Sequence, residues 1–179
     1  MSLEKVTQWC LILVCCVSLF LLLEKRFGHQ GTLRTASVPT AQALEGRELD
    51  LTGAFWGRSS KTVVVALTSQ CKFCTASLPF YNRLSKLRAR PGSSFSIIVI
   101  SPESSDVVVK LLSGAGILAD QVLSADFSKL GFRGTPSVFI VDSRGTVKRT
   151  FVGQLDGPGE SGLLAELMPE PDRRAAGAD

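Results

Sequence analysis

The stretch Thr62-Val63-Val64-Val65-Ala66-Leu67-Thr68-Ser69-Gln70-Cys71-Lys72-Phe73-Cys74 decides how the rest of the chain reads. Its first half, Thr62 to Thr68, is a continuous β-branched and aliphatic run, the pattern of a strand covered on both faces. Behind it the period changes. Phe73, Phe80, Leu84 and Leu87 recur at helical intervals as far as about Arg88, with Pro79 expected to bend the helix. A buried strand therefore passes into a helix, and two cysteines three residues apart stand at the passage.

That location has a chemical meaning. The first turn of a helix leaves backbone N–H groups unpaired and carries the positive end of the helix dipole, so a thiol placed there is stabilised as the thiolate. Cys71 is then the nucleophile, with a small added contribution from Lys72. Cys74, one turn further in, is placed to attack a mixed disulfide at Cys71 and release the partner. The competing reading is half of a zinc site, which needs four ligands. Downstream of the N-terminal apolar run there is no third Cys, and His29 lies in a linker, so zinc would require a second copy of the chain. No metal or cofactor is expected. A static bridge closing so short a loop would add little stability.

Working outward, Arg47 to Leu51 reads as a short opening strand. After the Arg90-Pro91-Gly92 break, Phe95 to Ile100 is a second buried strand, and Ser105 is expected to cap a helix running through Leu112 and ending at Gly114-Ala115-Gly116. Gln121 to Leu123 reads as a short strand and Ala125 to Leu130 as a short helix. Ser137 to Asp142 and Thr146 to Val152 flank Ser143-Arg144-Gly145 as a hairpin, the glycine supplying the positive backbone angle of a tight turn. A last helix is expected from Glu160 to Met168, and residues 169–179 are expected to fray. The order βαβαβ, hairpin, helix implies an α/β fold, a central mixed sheet flanked by helices.

The chain has 179 residues, of which 45% are hydrophobic, and its mean hydropathy is +0.22. The apolar excess is concentrated at the start. From Trp9 to Leu23 every residue but Ser18 is apolar, and the uncharged run extends back to Val6, giving 18 residues bounded by Lys5 and Glu24-Lys25-Arg26. At about 1.5 Å per residue, this spans roughly 27 Å, enough for a thin bilayer. No small-x-small cleavage site follows, so an uncleaved transmembrane anchor in contact with the lipid bilayer is favoured over a signal peptide. Cys10, Cys15 and Cys16 read as apolar thiols within it. Residues 1–27 are therefore taken as anchor and flanks, 28–43 as a flexible tether, and 44–168 as the folded domain. Flanking charge alone would weakly favour a cytoplasmic domain. A net charge of +4, with 20% charged residues, excludes a polyelectrolyte and gives no sign of a nucleic-acid partner.

One more element narrows the class. Gly134-Thr135-Pro136-Ser137 opens the hairpin, where a proline must start a strand or terminate pairing. A cis Thr135-Pro136 bond would set a backbone edge beside the thiols for an extended substrate segment; an ordinary trans proline at a strand start accounts for the sequence equally well.

Taken together, Cys71-x-x-Cys74 after a buried strand, Pro79 in the following helix, Gly134-Thr135-Pro136 before the hairpin, and Asp142-Ser143-Arg144-Gly145 with Val152-Gly153 beyond resemble the thioredoxin superfamily. The resemblance covers roughly Pro39 to Met168. The long interval between Cys71 and Pro136 is similar to that of membrane-anchored TlpA-like and AhpC/TSA-like redoxins, which carry an inserted βα unit. It implies a thioredoxin-like fold and thiol-disulfide oxidoreductase activity through Cys71 and Cys74. It also implies a cis Pro136, with Thr135 and Pro136 binding substrate. The implied partners are protein thiols or disulfides and a membrane or envelope electron donor. The implied location is the cytoplasmic membrane of a bacterium, with a single pass and an extracytoplasmic catalytic domain. That expectation outweighs the charge bias.

Some positions depart from the pattern. Gln70 stands where many relatives have Trp, Val65 where thioredoxin has a buried acid, and Ser77 where many TlpA-like proteins have Glu. Two other functions compete. Thr68, three residues before Cys71, matches the threonine of the peroxiredoxin motif, which would make Cys71 a peroxidatic thiol, but Val64 replaces the proline expected there. A redox-inactive binding module would use Pro136, Phe73 and Phe132 as a peptide groove, and two cysteines at this spacing argue against it.

Overall fold

The computed structural model describes residues 41–168. The expected membrane anchor at Val6 to Leu23, most of the tether and the 169–179 tail lie outside these residues. Among the described residues no helix is long and apolar enough to cross a membrane.

A 3-10 turn, Ala41–Leu44, is followed by β1 (Lys61–Ala66), α1 (Lys72–Arg88), β2 (Phe95–Ser101), α2 (Ser105–Gly114), β3 (Gln121–Ser124), β4 (Ser137–Asp142), β5 (Val147–Val152) and α3 (Gly157–Leu167). The strands form one sheet in the order β3-β2-β1-β4-β5. Strands β1, β2 and β3 are parallel, β4 runs antiparallel to β1, and β5 runs antiparallel to β4 and so in the direction of the first three.

The unbroken aliphatic runs lie in the middle of this sheet, where both faces are covered. Val63 and Val65 join one buried cluster, and Val64 and Ala66 join the other; Ile97 and Val99 divide from Ile98 and Ile100 in the same way. The first cluster takes in Phe80, Tyr81 and Leu84 of α1, Val108 and Leu112 of α2, and Leu163 and Leu167 of α3. All three α-helices thus cover the same face. Connectivity accounts for two of them, because β1, β2 and β3 are laid down in one direction and right-handed crossovers then put both connecting helices on one side. The opposite face is closed by Leu44, Leu49 and Leu51 from the N-terminal segment and by Phe132, with Trp56 and Phe127 packed at its margin.

Four local readings are corrected. Ser104, not Ser105, occupies the N-cap of α2, and its side chain makes no cap bond. Ala125 to Leu130 forms turns rather than a helix: the Asp126 carboxylate takes the Ser128 N–H at 3.0 Å and hydroxyl at 2.6 Å, a local bond that competes with helical pairing. Helix α3 begins before Glu160, at Gly157, because the Asp156 carboxylate caps the Gly159 N–H at 2.9 Å and Pro158 sits in the first turn, where its missing N–H costs nothing. Arg47 to Leu51 forms no full strand; Glu48 makes a single antiparallel bridge to Thr146.

Candidate active site

Register brings the site together. Ala66 at the end of β1 pairs with Ser137 at the start of β4, so the loop leaving β1 and the loop arriving at β4 meet at one end of the sheet. Parallel strands place their ligand-facing loops at such carboxyl ends. The first loop carries Cys71 and the second carries Thr135 and Pro136.

Cys71 is the N-cap of α1. Its extended backbone (φ −84°, ψ 112°) turns the thiol back over the first helical turn, where Sγ accepts the Cys74 N–H at 3.3 Å. The thiol also donates to the Thr135 carbonyl oxygen at 3.3 Å. The Thr135–Pro136 peptide bond is cis. The Pro136 carbonyl is occupied by the Gly153 N–H at 2.7 Å, which ties this loop to the end of β5. Cys71 and Cys74 are free thiols, the first partly accessible and the second fully buried.

Their electrostatics differ in the direction that reversible exchange requires. Partial burial pushes the Cys71 thiol up. Hydrogen bonds involving the Cys74 side chain, Thr135 and the backbone N–H groups of Cys74 and Phe73 outweigh it and hold Cys71 below the ordinary thiol value. Burial pushes Cys74 up to about 11, and the Cys71 side chain and charge add to the rise, against a smaller opposing effect from Thr68 and Thr135. One thiol is prepared to ionise and its neighbour keeps its proton.

Val65 is buried, and the Ser77 hydroxyl donates to the Phe73 carbonyl at 2.8 Å. One turn beyond Ser77 on the same helix face, Tyr81 is buried. Burial, with the nearby Cys74 and Cys71, raises its phenol well above the usual range, against a lowering contribution from Ser77. Tyr81 was missed in the sequence, although its helical spacing from Cys74 and Ser77 was a usable signal. Phe73, half exposed between the cysteines, lines a shallow cavity with Gly153, Gln154, Leu155 and Asp156. Lys72 lies with its ammonium 5.2 Å from the centre of the Phe73 ring.

Two further polar groups beside the site were not anticipated. The Glu103 carboxylate, in the loop after β2, accepts the Ser69 backbone N–H at 2.8 Å and the Ser69 hydroxyl at 2.7 Å. No local pattern marks this contact, because the two residues meet only through the pairing of β1 with β2.

Comparison with known proteins agrees with this architecture. A thiol:disulfide interchange protein from Bacteroides sp. superposes with a TM-score of 0.50 at 15% identity, covering 66% of this chain and 79% of its own. A thiol-disulfide isomerase from Corynebacterium glutamicum superposes with a TM-score of 0.50 at 22% identity, covering 76% and 99%. At these identities the likeness is one of fold, which is thioredoxin-like. No curated protein matches the chain at a significant level. The sequence model of the Redoxin family matches residues 34–167, which include the whole sheet and both loops of the site. The chain belongs to the Redoxin family.

Proposed function

We propose that this protein is a thiol-disulfide oxidoreductase that exchanges disulfides with protein thiols through Cys71 and Cys74, tethered to a membrane by the apolar run Val6 to Leu23 with the catalytic domain on the extracytoplasmic side. The observation that carries the chemistry is the Cys71 sulfur, held at a helix N-cap 3.3 Å from the Cys74 N–H, with the second thiol buried directly behind it. The tether rests on the sequence.

The cycle balances as follows. The Cys71 thiolate attacks one sulfur of a substrate disulfide; that S–S bond breaks and the leaving sulfur takes the electron pair as a thiolate. Cys74 then gives up its proton, which reaches the departing thiolate, and attacks the Cys71 sulfur. The substrate leaves reduced by two electrons, one sulfur carrying the Cys74 proton and the other taking from water the proton that Cys71 lost on ionising, and the protein carries a Cys71–Cys74 disulfide. An external dithiol donor restores it, and reversal of every step oxidises a substrate. Thr135 and Pro136 form the backbone edge along which a substrate segment lies, and the Thr135 carbonyl is the acceptor beside the reacting sulfur.

Insulin reduction tests the assignment. Cys71→Ser should abolish turnover, and Cys74→Ser should leave one round of attack that accumulates a mixed disulfide, visible on a non-reducing gel. Unchanged turnover in both variants refutes the cysteine assignment. Rapid peroxide consumption that survives Cys74→Ser would show a single peroxidatic thiol instead. Labelling intact cells with a membrane-impermeant thiol reagent tests the location, since Cys71 that labels only after lysis lies in the cytoplasm.

A further inference from the structure

A two-bond polar contact beside the thiols is made by a side chain that bonds to neither of them. Glu103 holds Ser69 with both carboxylate oxygens, at 2.8 Å to the N–H and 2.7 Å to the hydroxyl. The Glu103 backbone is itself anchored: its N–H donates at 3.2 Å to the hydroxyl of Ser101, which is fully buried at the end of β2. Two charge-assisted bonds to one residue fix the loop far better than a single neutral bond would. Ser69 is two residues before Cys71, and the turn between them is closed by the Cys71 N–H on the Thr68 carbonyl at 3.4 Å, a long and therefore weak bond. The Cys71 carbonyl is tied into the helix by the Thr75 N–H at 3.0 Å, while the 68–71 turn before it is held weakly by its own backbone and firmly by Glu103. The charge of a carboxylate can only oppose the ionisation of a thiol, so any benefit to Cys71 must come through geometry.

We propose that Glu103 is a positioning residue for Cys71: by gripping Ser69 it fixes the 68–71 turn and so keeps the Cys71 sulfur aligned with the Cys74 N–H and the Thr135 carbonyl. The proposal rests on the reading of Cys71 as the attacking thiol. Releasing the grip lets the N-cap side chain rotate away from the N–H groups that stabilise its thiolate. Removing the charge while keeping the grip would do the opposite.

The test is the pH profile of Cys71 alkylation by iodoacetamide in the reduced full-length protein, read by peptide mass mapping. It compares Glu103→Ala, Ser69→Ala and Glu103→Gln, each checked for a native melting transition. Glutamine can still accept the Ser69 N–H and donate to its hydroxyl. In Glu103→Ala the midpoint should move up and alkylation at pH 7 should fall roughly threefold to tenfold, with a smaller fall in Ser69→Ala, because fewer Cys71 thiols are ionised. Glu103→Gln should stay within about twofold of the parent or react faster. Unchanged profiles in both alanine variants overturn the proposal, and so does a midpoint that moves down in Glu103→Ala, which is the signature of charge alone. If Glu103→Ala does not fold, Ser69→Ala and Glu103→Gln decide by the same signs. Insulin reduction by the parent protein is scored separately: its absence would defeat the proposed function while the alkylation profiles still decide the role of Glu103.

Discussion

The Cys71 thiol and the Thr135 carbonyl oxygen lie 3.3 Å apart although 64 positions separate them in the chain. Pairing of Ala66 with Ser137 brings them together. The sulfur consequently has a hydrogen-bond acceptor on one side and the N–H groups of a helix end on the other, whereas Cys74 is shut off from solvent. Of the two site cysteines in the reduced protein, iodoacetamide at neutral pH should therefore modify Cys71. Cys74 should resist until the pH approaches about 11. Equal labelling of both cysteines at pH 7 would contradict the described asymmetry.

The raised Cys74 value also makes the stability of the reduced protein depend on pH. Between the unfolded thiol value near 9 and the folded value of about 11, the unfolded chain has lost this proton and the folded chain still holds it. Unfolding free energy therefore falls as pH rises through that window, and the contribution of Cys74 is fully present below it. The loss attributable to this group should be about 2–3 kcal/mol, from a shift of about two units at about 1.4 kcal/mol each. Urea titrations of the reduced protein at pH 8 and pH 11 should show it, and Cys74→Ala should show a correspondingly smaller decline. An identical decline in the variant would assign the loss to other groups.

At the hairpin, Gly145 has φ +83°, and a Cβ built there would lie 2.9 Å from Nε1 of Trp56. Backbone strain and steric overlap act together, so Gly145→Ala should destabilise the domain by about 1–3 kcal/mol. It should also alter Trp56 fluorescence as the indole moves. A melting temperature equal to that of the parent would show that the turn relaxes without cost.

Two phenylalanines near the site have different roles. Phe132 is fully buried, with its ring centre 4.9 Å from those of both Phe127 and Phe139, while Phe73 is 51% exposed beside Cys71. Phe132→Ala should cost about 3–5 kcal/mol in chemical unfolding. Phe73→Ala should change stability by no more than about 0.5 kcal/mol. Its effect should appear instead as a higher KM for protein disulfides, since the ring lines the cavity with Gly153 and Leu155. Comparable destabilisation by the two variants would refute the distinction.

The parts of this fold that were legible in the sequence are those whose causes are local. Thr62 to Thr68, Phe95 to Ile100 and Ser137 to Asp142 are aliphatic because both faces of the central strands are covered, and each lies within two residues of a strand. The placement of Cys71 at a helix start was readable for the same reason, as the change from strand to helical spacing occurs there. The start of α3 was not, since Gly157 and Gly159 disfavour helix and only the Asp156 cap and Pro158 offset them. Ala125 to Leu130 misled because its apolar residues are half-buried by a turn rather than by a helix. The contact of Glu103 with Ser69 spans 34 positions and depends on strand register, which no local pattern records.

Residues 45–49 run alongside β5 in the opposite sense. The Glu45 carboxylate takes the Thr150 N–H, Gly46 donates to Val147, and Leu49 donates to Gly145. The chain therefore arrives from the side of β5 that leads to Val152, which pairs with Ser137 next to Pro136. The far end of α3 lies at the other pole, where the Glu166 carbonyl accepts from Lys61 at the beginning of β1. A bulky partner or surface fused directly at residue 41, with no tether between, would stand at the pole that carries the thiols. The same attachment after Met168 would leave them open, so the two ends of this domain are not equivalent handles for immobilising it.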